Sequence, residues 1–121
     1  MRLLQWKKLS KEPSTLIVPE LAEFAHDVFV KNYYSAFTPA LLSTLKKHSI
    51  KQLLVCGLET DACVLKTTLD AFENDFEPFV VEDATTSNGG DEIHASALKI
   101  LGRYIGKERI ISTQAALKII R

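Results

Sequence analysis

The amino-acid sequence predicts an α/β fold in which helices pack on a parallel sheet. Short segments rich in apolar and β-branched residues alternate along the chain with segments whose apolar residues recur at helical spacing, and the links between them are short. Strands and helices that alternate in this way form right-handed βαβ units. At 121 residues the chain is long enough for one domain with a single core, and no repeat or linker divides it.

The first half of the chain supplies two strands and two helices. Asp27–Lys31 is rich in β-branched and aromatic residues, which favours a strand. A helix is predicted over Thr38–Lys47, because Thr38 can cap it, a proline follows in the first turn and leucines recur at helical spacing. Gln52–Gly57 is apolar without alternation, as expected of a strand covered on both faces. A second helix is predicted over Asp61–Asn74.

The second half repeats the alternation, and the beginning of the chain is less regular. The later elements are a strand at Pro78–Glu82, a polar loop at Asp83–Gly90, a helix to about Tyr104, a strand at Arg109–Ser112 and a helix at Thr113–Ile120. Among the first 26 residues, Leu3–Trp6 fits a short strand and Pro19–Ala25 fits a helical turn or two.

The composition excludes several classes of function. Lys and Arg together number 15, as do Asp and Glu, so no net charge favours nucleic acid or an anionic membrane. No apolar stretch approaches the roughly 18 residues that span a bilayer, and the first residues lack the apolar region of a signal peptide. Two cysteines are too few for a disulfide scaffold, which favours a cytoplasmic protein with free thiols.

The two cysteines have different surroundings. Cys63 falls in the first turn of the helix that follows the Gln52–Gly57 strand, with Thr60 or Asp61 as the expected cap. In parallel sheets ligands bind beyond the carboxyl ends of the strands, and the first turn of a helix favours an anion such as a thiolate or an oxyanion. Cys56 lies within the strand and is predicted to be an inert core residue. From these residues alone, Cys63 is either a nucleophile or a packing residue.

Four motifs in one order resemble the isochorismatase-like cysteine hydrolases, a family that includes nicotinamidases and N-carbamoylsarcosine amidases. The motifs are Lys31-Asn-Tyr-Tyr-Ser-Ala-Phe37, Gly57-Leu-Glu-Thr-Asp-Ala-Cys63-Val, Thr67-Thr-Leu-Asp-Ala71 and Val80-Val-Glu-Asp-Ala84. Ser87-Asn-Gly-Gly90 followed by His94 also resembles a subset of members. The resemblance covers roughly residues 16 to 113 and implies a three-layer α/β/α fold with a parallel sheet.

The resemblance implies a catalytic apparatus built around Cys63. This residue matches the nucleophile that attacks an amide carbonyl to give a thioester, and Lys31 matches the lysine that supports the thiolate. The Leu58–Glu59 bond matches a non-proline cis peptide, which directs the backbone N–H of Glu59, beside that of Cys63, toward the oxyanion. Since true isochorismatases lack the cysteine, its presence points to hydrolysis of a C–N bond in a small amide. Phe37 matches a residue of the substrate pocket.

The chain departs from the family pattern at its beginning. Members start with an apolar strand that ends in an aspartate, the proton carrier of the reaction, and no such strand precedes Glu12, Glu20, Glu23 or Asp27. The expectation is a single domain, residues 1–121, that lacks the first strand or strands of the family. Without the first strand, the neighbouring strand would have an unpaired edge, and we therefore predict a homo-oligomer that completes the sheet. No cofactor is expected, and no catalytic metal, because metal-dependent members carry their ligands in and after the missing region.

Three interpretations stay open at the level of the sequence. The chain is a small-amide hydrolase, a non-catalytic remnant that acts as an oligomeric or partner-binding module, or a piece of a longer enzyme. His94 is a candidate replacement base for Cys63, and Tyr33 and Tyr34 either line a pocket or anchor the loop after Lys31. His26 and His48 are expected at the surface or at helix ends.

Overall fold

The computed structural model of the chain describes residues 17–120, and these residues divide into two units between Tyr33 and Tyr34. Among the described residues of the first unit, the regular structure is one helical turn, α1 (Pro19–Ala22). This turn lies within the segment for which a short helix was expected. The strand proposed at Leu3–Trp6 falls outside the described residues.

The prediction of a strand at Asp27–Lys31 is wrong. These residues have no strand conformation, and the side chains of Val28 and Val30 are 61% and 76% exposed. A strand is held by hydrogen bonds to a neighbouring strand, and the three-stranded sheet of the described residues lies in the second unit. The β-branched composition of this segment reflects local propensity, which cannot supply a pairing partner.

The second unit alternates helices and parallel strands. Its elements are α2 (Pro39–Lys47), β1 (Gln52–Leu58), a π-helical turn (Thr60–Val64) that continues into α3 (Leu65–Glu73), β2 (Glu77–Thr86), α4 (Asp91–Ile105), a 3₁₀ turn (Lys107–Arg109), β3 (Ile110–Ile111) and α5 (Thr113–Ile119). The strands pair in parallel in the order β1-β2-β3. The predicted α/β class, a parallel sheet between layers of helices, is confirmed.

The two helix starts predicted from caps differ in outcome. At α2, the side chain of Thr38 accepts a hydrogen bond from the backbone N–H of Leu41 at 3.3 Å, as predicted. At the helix after β1, the residue before the first turn is Glu59, which makes no side-chain cap. The expectation that Thr60 or Asp61 caps this helix is wrong, because both side chains bond to residues of a different segment.

The core of the second unit consists of two clusters. One joins Val64 of the π-helical turn to Val80 of β2 and to Leu101 and Ile105 of α4. The other is formed by the buried side chains of Leu45, Ala71 and Phe76. Since Val64 directly follows Cys63 in the chain, the first cluster anchors the turn that carries the cysteine.

Strand β2 extends further than predicted, into the segment expected to be a polar loop. Its pairing with β1 shifts from Val55–Val80 to Gly57–Thr85, so two steps along β1 correspond to five along β2. The extra residues, 82–84, form an exposed bulge. The polar composition that predicts a loop here belongs to this bulge. Beyond it, Thr86 pairs with Leu58, so β2 delivers the following residues to the end of β1.

The prediction that Cys56 is a core residue is wrong, because its side chain is exposed. Leu53 and Val55 pack against the core clusters, and alternation along the strand places Cys56 on the opposite face. Leu58, on the same face as Cys56, is 62% exposed. Strand β1 also lies at an edge of the described sheet. Both cysteines are free thiols in the structure.

Asp83, in the bulge of β2, binds the start of α5. Its carboxylate should make the free energy of unfolding depend on pH in the acid range. Its Oδ1 accepts hydrogen bonds from the hydroxyl of Thr113 at 2.8 Å and from the backbone N–H of Thr113 at 2.7 Å. These bonds lower the pKa of Asp83 below its ordinary value of 3.8. A carboxyl with a depressed folded pKa contributes stability that is present above the unfolded value and is lost as pH falls through the folded one.

We therefore expect the free energy of unfolding of Asp83→Asn to fall less between neutral and acid pH than that of the wild type. The measurement is the urea midpoint of the wild type and the variant between about pH 5 and pH 2.5, the range over which a carboxyl of this kind titrates. Glu82→Gln, a change of the neighbouring exposed carboxylate, should keep the wild-type acid dependence. Equal acid dependence in wild type and Asp83→Asn would contradict the assignment.

Candidate active site

Cys63 lies half-buried in the π-helical turn that follows β1, at the carboxyl end of a parallel strand. Two backbone N–H groups of this turn, those of Ala62 and Val64, donate to the carbonyl oxygen of Glu59 at 3.1 and 3.0 Å. The turn is π-helical where an α-helical first turn was expected, and local π-helical geometry is frequent at functional sites. The structure thus places the predicted nucleophile at the sheet edge where α/β proteins bind ligands.

The backbone between β1 and the cysteine has an unusual conformation. The Leu58–Glu59 peptide bond is cis, as the resemblance led us to expect. Gly57, one residue earlier, has φ of 106°, in the region that favours glycine. Glu59, one of the two residues expected to offer a backbone N–H to an oxyanion, therefore enters the turn directly from this bend.

The segment Ser87–Gly90, called here the site loop, is hydrogen-bonded to the residues in front of Cys63. The side-chain amide of Asn88 donates to the Glu59 carboxylate at 2.6 Å. The hydroxyl of Ser87 donates to the Asp61 carboxylate at 2.5 Å, and it accepts from the backbone N–H of Gly89 at 3.0 Å. No sequence pattern connects these residues, because they lie 26 to 29 positions apart and Ser, Asn and Gly are typical of any turn.

His94, in the first turn of α4, contacts the same segment. Its Nδ1 lies 2.7 Å from the hydroxyl oxygen of Thr60. Because the Thr60 side chain is fully buried, its hydroxyl needs a protein partner, and His94 supplies one. This contact makes His94 a structural neighbour of the cysteine turn, and its action as a base toward Cys63 stays a hypothesis.

Lys31 and Phe37, the other predicted site residues, each contact another residue of their own unit. The ammonium group of Lys31 donates to the carbonyl oxygen of Tyr33 at 2.8 Å, within the first unit, whereas Cys63 belongs to the second. Their partnership stays a prediction. Phe37 packs against the cluster around Phe76, with ring centroids 5.7 Å apart and planes tilted by 55°. Phe37 therefore packs against the core, and its predicted place in the substrate pocket stays a prediction.

The remaining acidic and histidine candidates lie at the surface or outside the described residues. Glu20, Glu23, Asp27, His26 and His48 are exposed, as expected for the two histidines. Glu12 is outside residues 17–120. Within that range no three His, Cys, Asp or Glu side chains form a group able to hold a metal ion. The helices in it are also too short or too polar to cross a membrane.

Comparisons with known proteins show which family the chain resembles. A model of the isochorismatase domain matches residues 2–111. "Isochorismatase family protein 1A" of Dictyostelium discoideum is 33% identical over 72% of this chain and 44% of its own length. The ureidoacrylate amidohydrolase RutB of Variovorax paradoxus is 27% identical over 82% of this chain and 35% of its own length.

A solved structure is also similar. That of the nicotinamidase PncA from Bacillus subtilis superposes with a TM-score of 0.59 and 36% identity, over 63% of this chain and 42% of that one. The chain thus spans less than half the length of each of these three proteins.

Proposed function

The chain belongs to the isochorismatase family of hydrolases, and from this we propose that it cleaves the C–N bond of a small amide through a thioester on Cys63. One observation carries the proposal. Cys63 stands in the helical turn after β1, at the carboxyl end of a parallel strand. A cysteine at the start of a helix is favoured as a thiolate, which is the nucleophilic form.

The proposed reaction has two halves. In the first, the Cys63 thiolate attacks the amide carbon, a C–S bond forms and the carbonyl electrons move to oxygen, where the backbone N–H groups of Glu59 and Cys63 donate to the oxyanion. Collapse of this intermediate breaks the C–N bond, and the leaving nitrogen takes up, from solvent, the proton that the Cys63 thiol released when it became a thiolate. In the second half, water attacks the thioester, releases the carboxylic acid and restores the thiol. The family resemblance supports the proposal that Lys31 favours the thiolate.

The proposed substrate class is supported by chemistry and by the names of similar proteins. A cysteine nucleophile suits an acyl carbon, since it yields a thioester that water can cleave. Two of the similar proteins are named for reactions of amides, a nicotinamidase and a ureidoacrylate amidohydrolase. A cytoplasmic location is part of the proposal, because both cysteines are free thiols and thiols persist in reducing compartments.

The exposed Cys56 provides an internal standard for testing the nucleophile. Alkylation by iodoacetamide would be followed at each cysteine by peptide mass between about pH 6 and pH 9, a range that brackets the ionisation of an ordinary thiol. If Cys63 is held as a thiolate, it should react faster than Cys56 at the acid end although it is less exposed. Lys31→Ala should slow Cys63 alone, and Lys46→Ala should change neither cysteine. Cys63 reacting no faster than Cys56 across the range would refute the proposal.

A second candidate function is a non-catalytic oligomeric or partner-binding module. It is favoured by the unpaired edge of β1 in the described sheet and by the exposure of Leu58 on that strand, because uncovered edges and apolar faces pair with other chains. We infer that a second copy of the chain covers this edge. Sedimentation equilibrium should then give a multiple of the monomer mass, and a monomer at all concentrations would exclude self-association. An oligomer with an unreactive Cys63 would favour this function over hydrolysis.

A further inference from the structure

Three consecutive side chains in front of Cys63 are each hydrogen-bonded to the segment 87–94. Glu59 accepts from Asn88, Thr60 pairs with His94 and Asp61 accepts from Ser87, at 2.6, 2.7 and 2.5 Å. We call these three contacts the clamp. They join two parts of the chain that are distant in sequence, and they extend from Glu59, the second residue of the cis bond, to Asp61, two residues before the cysteine.

The clamp is composed of strong and well-oriented hydrogen bonds. Two of its acceptors are carboxylates, and hydrogen bonds to ionised groups are shorter and stronger than neutral ones. The Ser87 hydroxyl accepts from the backbone N–H of Gly89 while it donates to Asp61, so its orientation is set from both sides. The Thr60 hydroxyl is fully buried, and loss of the His94 partner would leave a buried polar group unsatisfied.

The far side of the clamp is itself held by rigid elements. The backbone N–H of His94 donates to the carbonyl of Gly90 at 3.0 Å, which fixes the site loop to the first turn of α4. Gly89 lies so close to Ile93 that a β-carbon added there would meet that side chain at 3.0 Å. Helix α4 is anchored in the core by Leu101. The clamp therefore connects the cysteine turn to the core through α4.

We propose that Ser87, Asn88 and His94 are positioning residues for Cys63, an inference that rests on the proposed hydrolase function. They hold the segment Glu59–Asp61, which carries the backbone N–H of Glu59 and leads to that of Cys63, the two groups proposed to bind the oxyanion. Such groups stabilise a thiolate or an oxyanion only when they are fixed in direction before the reaction. In this role Ser87, Asn88 and His94 act through the backbone of the segment Glu59–Asp61 rather than by contact with the reacting atoms.

The test uses the full chain and compares the alkylation of Cys63 with that of Cys56 in the same sample. Ser87→Ala and His94→Leu each remove one contact of the clamp, while His94→Asn keeps a polar group near the position of Nδ1. We expect the ratio of Cys63 to Cys56 alkylation by iodoacetamide at neutral pH to fall by about threefold or more in the first two variants, since oriented helix N–H groups change anion stability by that order. His94→Asn should recover part of the loss.

A matched control separates positioning from general loosening. Ser96→Ala removes a hydroxyl of α4 that bonds only its own helix, to the carbonyl of Glu92, and should leave the ratio unchanged. A parallel change at both cysteines, an unchanged ratio or a faster Cys63 in the clamp variants would overturn the proposal. The hydrolase proposal fails separately, if Cys63 of the wild type reacts no faster than Cys56. If His94→Leu does not fold, Ser87→Ala decides the question.

Discussion

Replacement of Cys63 by serine is expected to lower the rate of amide hydrolysis by about 10³-fold or more, because loss of a nucleophile removes most of the chemical acceleration of its catalytic unit. A serine hydroxyl has nearly the same size as a thiol, so the turn around it should keep its packing with Val64. It ionises far less readily than a thiol, however, and the proposed site supplies thiolate support rather than a strong base. The loss should therefore appear in kcat.

The matched control for this prediction is Cys56→Ser, which makes the same change on an exposed face of β1. Ammonia release from nicotinamide and from a carbamoylated amino acid would be measured for the wild type and both variants. Hydrolysis by the wild type and Cys56→Ser, with none by Cys63→Ser, is the expected result. Hydrolysis that survives in Cys63→Ser would contradict the thioester mechanism.

The largest loss of stability is expected for Leu101→Ala. Leu101 is fully buried, and it packs in one cluster with Val64, Val80 and Ile105. Truncation of a buried leucine removes transfer free energy and leaves a cavity, at a cost of about 2–5 kcal/mol. A domain is stable by only about 5–15 kcal/mol, so the variant should be marginally folded. Because Val64 adjoins Cys63, the same change should make the cysteine turn less ordered.

The neighbouring residue on α4 supplies the control for Leu101. Ile100 is 46% exposed, and Ile100→Ala should change the free energy of unfolding by about 0.5 kcal/mol or less, as expected of surface substitutions. Urea unfolding monitored by circular dichroism gives both values. Equal losses in the two variants would mean that the cluster around Leu101 does not form the core.

The helices could be predicted from the sequence because their signals are local. Thr38 and the following proline mark the start of α2, and leucines at helical spacing identify its buried face. Strands depend on neighbours that the sequence does not reveal. Asp27–Lys31 has the composition of a strand without its conformation, and Cys56 is exposed although its strand is apolar. In both cases the missing information is what covers or pairs with the segment.

The candidate site divides in the same way. The position of Cys63 after a strand followed from contiguous residues, and the cis bond before Glu59 was expected from the family resemblance that the same residues carry. The clamp did not, since its donors belong to a turn-like segment whose contacts exist only once β2 is paired with β1. The role of Lys31 stays a prediction, because Lys31 belongs to the first unit and Cys63 to the second.

The bulge at residues 82–84 has a consequence for how this protein tolerates insertions and deletions. Before the bulge, Val80 and Val81 pair with β3, and after it Thr85 and Thr86 pair with the end of β1. A residue gained or lost at 79–81 would turn every later side chain of the strand to the opposite face. The same event within the exposed bulge leaves both registers in place, because the hydrogen bond from Thr85 to the carbonyl of Glu82 closes the protrusion. An insertion here that keeps Asp83 on Thr113 therefore lengthens the chain without turning the core side chains or displacing the site loop.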